Sequence, residues 1–286
     1  MEKDLRFLLY LTANNYNIAL RPQNLPQNMD KARIWPVFWL LAISFCLTGC
    51  VPGEKERTVD GRLVLLDSVN VPLPDPVIDS VIELYRADLE AEMNQVLAYS
   101  AHPMRRGTPE GLLNNFVADL VFDLGREHYE PEDGLPIDFC LLNYGGLRTS
   151  IPEGPVTRGR VFELMPFENE MVVITLTAEN TRELFEYLAS STVGMPVAGI
   201  TLGIRDQEVA QVEIQGEPFD EDRTYKVITS DYLAGGGDNM TFFLEPLRYE
   251  YIGMKIRDAI ILHLERRHAA GQEISATLDG RMYYVD

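Results

Sequence analysis

Along the chain the apolar positions change period several times, and each change marks an element. Over residues 75–99, Val77, Ile78, Val81, Ile82, Leu84, Leu89, Met93 and Val96 recur at three- and four-residue spacing with acids between them. That spacing predicts an amphipathic helix, entered past Pro72, Pro74 and Pro76. A second helix is expected over 110–127, where Leu112, Leu113, Phe116, Val117, Leu120, Val121 and Leu124 form one face and Pro109 stands just ahead. Both helices are expected to pack against a sheet. The period then shortens: 137–143 and 171–177 are apolar and β-rich, and the Thr177 hydroxyl is placed to cap a helix over 178–188. Strands follow at 199–204, 209–214 and 225–229, with Gln215-Gly216 as a hairpin turn between polar edges. A helix over 255–267 and a short strand over 283–285 close the pattern. Helices beside antiparallel hairpins imply an α+β domain spanning 75–286.

Composition narrows the partners. With 46% hydrophobic residues in 286, a buried core of ordinary size is available. The net charge of −19 argues against a nucleic acid polymer or an anionic membrane surface as ligand. It leaves room for a small anion such as a nucleotide where arginines are focused locally. Of the three cysteines, Cys140 lies alone in an apolar run and reads as a small packed hydrophobe, so no disulfide framework is expected.

The other two, Cys46 and Cys50, belong to a different kind of segment. Lys31 and Arg33 precede an apolar stretch over 34–47 that is too short to span a bilayer comfortably, the layout of a secretory signal. It ends in Leu47-Thr48-Gly49-Cys50, which resembles the lipobox of bacterial lipoproteins. The resemblance implies cleavage before Cys50, lipidation of its thiol, and an exported protein held to a bacterial membrane, on the periplasmic or surface face of the outer membrane. Translation is expected to start at Met29, with 1–49 as the signal segment and 50–74 as a tether. Cleavage would remove three acidic and five basic residues, so the exported part is the more acidic.

Three segments stand out after apolar elements, where sites form: two set glycines beside polar or aromatic residues, and one sets a proline and an aromatic beside polar residues. They are Asn143-Tyr144-Gly145-Gly146-Leu147-Arg148, then Leu164-Met165-Pro166-Phe167-Glu168-Asn169, then Ser230-Asp231-Tyr232-Leu233-Ala234-Gly235-Gly236-Gly237-Asp238-Asn239. Paired glycines admit close backbone approach, Arg148 offers a planar fork for an oxyanion, and Phe167 and Tyr232 offer flat faces for a ring. In this order the segments resemble the C-terminal domain of the 5′-nucleotidase family, with its Asn-x-Gly-Gly-x-Arg, Pro-Phe-Gly-Asn and aromatic-Leu-Ala-x-Gly-Gly-Asp motifs. A weaker match runs from Arg106 to Asp119 through Glu110 and Asn115.

The resemblance implies a nucleoside site. Phe167 and Tyr232 would sandwich the base, Asp238 would hold the ribose hydroxyls, Asn169 the base edge and Arg148 the phosphate. Asn143, Gly145 and Gly146 would shape the first loop. Stacking of this kind contributes roughly 1 to 3 kcal/mol per base. Two departures alter the pattern: Glu168 stands where the family has glycine, adding bulk and charge beside the base pocket, and Asn239-Met240 replaces a glycine-aromatic pair.

The family's catalytic half is recognised by Asp-x-His and Gly-Asn-His motifs around two metal ions, and neither motif occurs here. His102, His128, His263 and His268 have no ligand-like spacing and read as surface or satisfied residues. No Gly-x-Ser-x-Gly elbow, Walker loop or dinucleotide fingerprint is present. Asp231 with Asp238 reads as loop capping or ribose binding before it reads as an acid–base pair. The expectation is a chain with no catalytic residue, metal or cofactor of its own. It would form the substrate-binding half of a split 5′-nucleotidase-type enzyme, whose separately encoded metallophosphoesterase carries the divalent metals. A stand-alone nucleoside receptor and a non-binding structural module are the alternatives.

Overall fold

The computed structural model describes residues 75–286. The expected signal segment, the Cys50 lipobox and the tether lie outside the described residues. The elements are, in order, α1 (Pro76–Met93), β1 (Val96–Ser100), α2 (Leu112–His128), β2 (Phe139–Leu141), β3 (Gly154–Thr157), α3 (Arg158–Leu164), β4 (Glu170–Leu176), α4 (Ala178–Ser190), β5 (Val197–Ala198), β6 (Ile200–Arg205), β7 (Glu208–Ile214), β8 (Glu217–Pro218), β9 (Tyr225–Ser230), α5 (Asp231–Ala234), β10 (Arg248–Lys255), α6 (Ile256–Ala269) and β11 (Met282–Tyr284). The α+β class expected from patterning is the one observed.

A five-stranded mixed sheet in the order β10-β4-β9-β2-β5 forms the middle layer. Its two-residue alternation feeds two apolar clusters. Cys140, Met171, Val173 and Ile228 point to the side where α2 and α6 pack. Phe139, Leu141, Val172, Ile174 and Val227 point to the other, against α4 and the second sheet, β11-β6-β7-β8. Each fully buried side chain of this kind contributes about 1.5 to 3 kcal/mol. Cys140 is wholly buried, and burial pushes its thiol pKa far up, so it packs as a hydrophobe.

Local chemistry explains most boundaries. The Thr177 hydroxyl accepts from the Asn180 amide at 3.2 Å and starts α4 as expected. Gln215 and Gly216 both take positive φ, 53° and 79°, and turn β7 into β8. The first expected helix is corrected on two counts. It stops at Met93, and 96–100 form the strand β1, paired with β3, where burial replaces the helical period. Nor does α1 pack on the sheet: none of its residues is buried, and Val77, Ile78, Leu84 and Tyr85 are each at least 60% exposed. The α2 helix, by contrast, buries most of its length.

Candidate functional site

Topology gathers the three loops at one end of the sheet. β2 and β9 run parallel, with Cys140 opposite Ile228, so the segments leaving their C-termini emerge side by side. β4 is antiparallel to β9, with Met171 opposite Ser230, so the segment entering its N-terminus comes to the same end. Asn143 to Arg148 follows β2, Phe167 to Asn169 precedes β4, and Tyr232 to Asp238 follows β9.

Between them lies a cleft of about 240 Å³ lined by Asn143, Gly145, Gly146, Arg148, Phe167, Asn169, Tyr232 and Asp238. These are the residues singled out in the sequence, and the fold brings all of them together. Phe167 and Tyr232 are 40% and 46% exposed, so each offers a ring face to an incoming ligand. The Arg148 guanidinium sits 5.9 Å from the Phe167 ring centroid and donates to the Gly145 carbonyl at 3.3 Å.

Asp238 is the best-anchored group of the cleft. Its Oδ2 accepts from the Asn143 amide at 2.7 Å, its Oδ1 from the Tyr232 hydroxyl at 2.8 Å, and its carbonyl from the Tyr187 hydroxyl at 3.0 Å. The bond to the Asp238 carboxylate holds the Tyr232 phenol proton and raises its pKa. Asp238 itself is left-handed, at φ 53° and ψ 28°, a region that asparagine and aspartate enter more readily than other side chains. Gly237 is glycine for a steric reason: a Cβ there would lie 2.5 Å from the Tyr232 ring. At Gly146 a Cβ would lie 2.7 Å from the Asn143 side-chain oxygen.

Asp231 serves the backbone. Its carboxylate accepts from the Glu170 amide at 3.2 Å and the Tyr232 amide at 2.8 Å. It therefore fastens the start of α5 to the start of β4, a capping role.

The family model described as "5'-nucleotidase, C-terminal domain" matches residues 93–245, more than half of the chain. The chain belongs to that family. Among similar proteins, the cell wall protein Lmo0130 of Listeria monocytogenes is 24% identical over 264 residues, covering 82% of this chain and 33% of that one. The trifunctional nucleotide phosphoesterase protein YfkN of Bacillus subtilis is 26% identical over 231 residues, covering 74% and 15%. The crystal structure of a 5'-nucleotidase precursor from Thermus thermophilus superposes with a TM-score of 0.61 at 26% identity, over 73% of this chain and 43% of that one. The chain thus spans less than half the length of each of these relatives.

The segment from Arg106 to Asp119, the weakest part of the 5′-nucleotidase resemblance, has two structural tasks. Arg106 stacks its guanidinium 4.1 Å above the Tyr144 ring and donates to the Tyr144 carbonyl at 3.0 Å, supporting the first loop from below. Glu110 accepts from the Asp279 and Gly280 amides, Asn115 donates to the Thr277 carbonyl, and Asp119 is bridged by Arg281 at 2.6 and 3.1 Å. These three hold the stretch that delivers β11 to the second sheet. Burial raises the Asp119 pKa despite its arginine partner.

The two departures from the 5′-nucleotidase pattern fall outside the cleft wall. The Glu168 side chain does not line the cleft; its carboxylate is paired with Lys255 and Arg257. The expectation that it adds bulk and charge beside the base pocket is therefore corrected. The hydrogen bonds from Lys255 and then Arg257 lower its pKa to about 2. Asn239, at φ 61°, faces a separate groove beside Tyr187 and Phe242. Sequence reasoning missed both cations, because Lys255 and Arg257 straddle the β10–α6 junction about ninety residues away. Among the described residues no three histidine, cysteine, aspartate or glutamate side chains are grouped so as to hold a metal ion. His263 packs edge-on against Phe116, and burial lowers its pKa.

Proposed function

We propose that the cleft binds the nucleoside portion of a nucleotide. The chain is then the substrate-binding half of a 5′-nucleotidase-type phosphohydrolase, in which a separate metallophosphoesterase supplies divalent metals and the attacking water. The observation that carries this reading is the lining of the cleft: two exposed aromatic faces, an anchored carboxylate, a side-chain amide and an arginine on one concave surface. Phe167 and Tyr232 would take the base between them, Asn169 its polar edge, Asp238 the ribose hydroxyls and Arg148 the phosphate. A carboxylate accepting two diol hydrogen bonds suits ribose, and the Tyr232 hydroxyl would yield its bond to the incoming sugar. In this reading Asp238 and Arg148 recognise the substrate, and hydrolysis is assigned to the partner's metal centre.

The supporting experiment is calorimetric titration with adenosine, AMP and a UDP-sugar, on the parent protein and on Phe167→Ala and Tyr232→Ala. Binding lost in both variants supports the sandwich, and binding unchanged in both refutes it. Adding candidate phosphoesterases then tests the partnership: a complex with faster nucleotide hydrolysis supports it, whereas binding with no effect on any phosphoesterase leaves a receptor. Export and lipid anchoring at Cys50 are part of the same proposal. They predict acyl-chain incorporation that Cys50→Ser abolishes.

A further inference from the structure

Three consecutive residues of the second loop part company. Phe167 and Asn169 enter the cleft, while Glu168 between them turns outward onto the corner where β10 becomes α6. That corner holds the loop at several points. Lys255 donates to one Glu168 oxygen and Arg257 to the other. Arg257 also reaches the Phe167 carbonyl at 3.4 Å, and the Ile256 amide donates to the Asn169 carbonyl at 3.0 Å.

An exposed ion pair by itself carries little energy. This one differs because Arg257 is only 6% exposed, lies with its guanidinium 4.3 Å from the Phe162 ring centroid, and has a buried Nε without a partner. Its hydrogen-bond acceptors, the Phe167 carbonyl and the Glu168 carboxylate, both belong to the cleft loop. A buried cation left without acceptors is costly. Moving the loop would therefore strand Arg257, and the buried charge ties the loop to one position.

We propose that Glu168, held between Lys255 and Arg257, is a positioning residue that keeps the Phe167 wall of the cleft in its ligand-receiving place. The inference rests on the nucleoside reading of the cleft for its ligand readout, and on the loop alone for its second readout. Glutamate here does by charge what a glycine turn leaves to backbone geometry. It tethers the aromatic wall before a ligand arrives, which lowers the ordering cost of binding.

The test uses the whole chain, Glu168→Gln, and adenosine as probe. Adenosine is uncharged, so salt acts on its affinity through the protein's own ion pairs. In the parent, affinity is expected to fall about fivefold between low and high sodium chloride, the scale of one partly screened ion pair. Glu168→Gln is expected to bind about fivefold more weakly at low salt and to show no further salt response. The second readout is the fluorine NMR linewidth of 4-fluorophenylalanine placed at position 167, without ligand. It should report one ordered environment in the parent and exchange broadening in the variant. Equal adenosine affinity and salt response in the two proteins, or an identical position 167 signal in both, overturns the proposal. If adenosine binds neither protein and the signal still broadens, the nucleoside reading fails and the positioning role stands.

Discussion

The side-chain amide of Asn143 donates to Oδ2 of Asp238 at 2.7 Å, joining residues 95 positions apart and closing the first glycine loop onto the third. The same carboxylate takes the Tyr232 hydroxyl on its other oxygen. Asp238 is thus the point at which two walls of the cleft meet, and the first prediction concerns it. Asn143→Ala removes one charge-assisted bond from a partly buried acceptor. Calorimetry should show nucleoside affinity reduced about tenfold, near 1.4 kcal/mol.

The Tyr232 phenol gives a pH test of the same contact. Its folded pKa is raised by the Asp238 carboxylate. The stabilisation is therefore complete below the unfolded phenol pKa and is lost as pH rises through the folded value. Asp238→Asn should bring the phenol back toward its ordinary range. Ultraviolet titration of the tyrosinate band, with Tyr232→Phe identifying the contribution, would detect the shift; an unchanged titration would mean that the bond does not form in solution.

Glu168 has the opposite sign. Its folded pKa lies near 2, below the ordinary value of 4.5, so the contribution of its ion pairs is present above about 4.5 and fades as pH falls toward about 2. Carboxyl carbon NMR should follow this residue titrating well below the ordinary glutamate value of 4.5. Glu168→Gln should lose any pH dependence of the position 167 environment within that window.

Gly237→Ala separates binding from folding. The added methyl meets the Tyr232 ring at 2.5 Å, and the half-exposed ring has room to swing outward. Stability is expected to change by less than about 1 kcal/mol, as for surface substitutions. Nucleoside affinity is expected to fall about tenfold because the ring leaves its place. Thermal unfolding and calorimetry on one preparation read both.

Arg281→Met should do the reverse. Arg281 bridges Asp119 and Asp279 and also donates to the Val197 carbonyl, so its loss unfastens the approach to β11. With both acids about half exposed, the cost is discounted from that of a fully buried pair to about 1 to 2 kcal/mol. Urea unfolding should show it while adenosine affinity stays at the parent value.

The cleft was legible in the sequence because its residues sit within a few positions of strand ends that periodicity locates. The apolar runs around Cys140, Val173 and Ile228 identify β2, β4 and β9, and the glycines after β2 and β9 and the Pro166-Phe167 pair ahead of β4 mark the loops. What escaped was decided by long-range contact. β10 leaves Tyr249 partly and Tyr251 largely in solvent, so its alternation lacks a strong apolar signal. The short helix α3 showed only Thr157 as its cap. The α1 periodicity was real, yet spacing cannot say what an apolar face meets, and this one stays exposed. The outward turn of Glu168 depended on Arg257, which no local pattern connects to it.

Because the cleft is assembled from the ends of β2, β4 and β9, a ligand in it would contact three adjacent strands of one sheet at once. Its binding free energy would be shared by the whole central layer, so amide hydrogen exchange in those three strands should slow together. At a ligand concentration a hundredfold above Kd the shared protection would be about 2.7 kcal/mol. Exchange in α1, which buries nothing, would be untouched, making that helix the internal reference for the measurement.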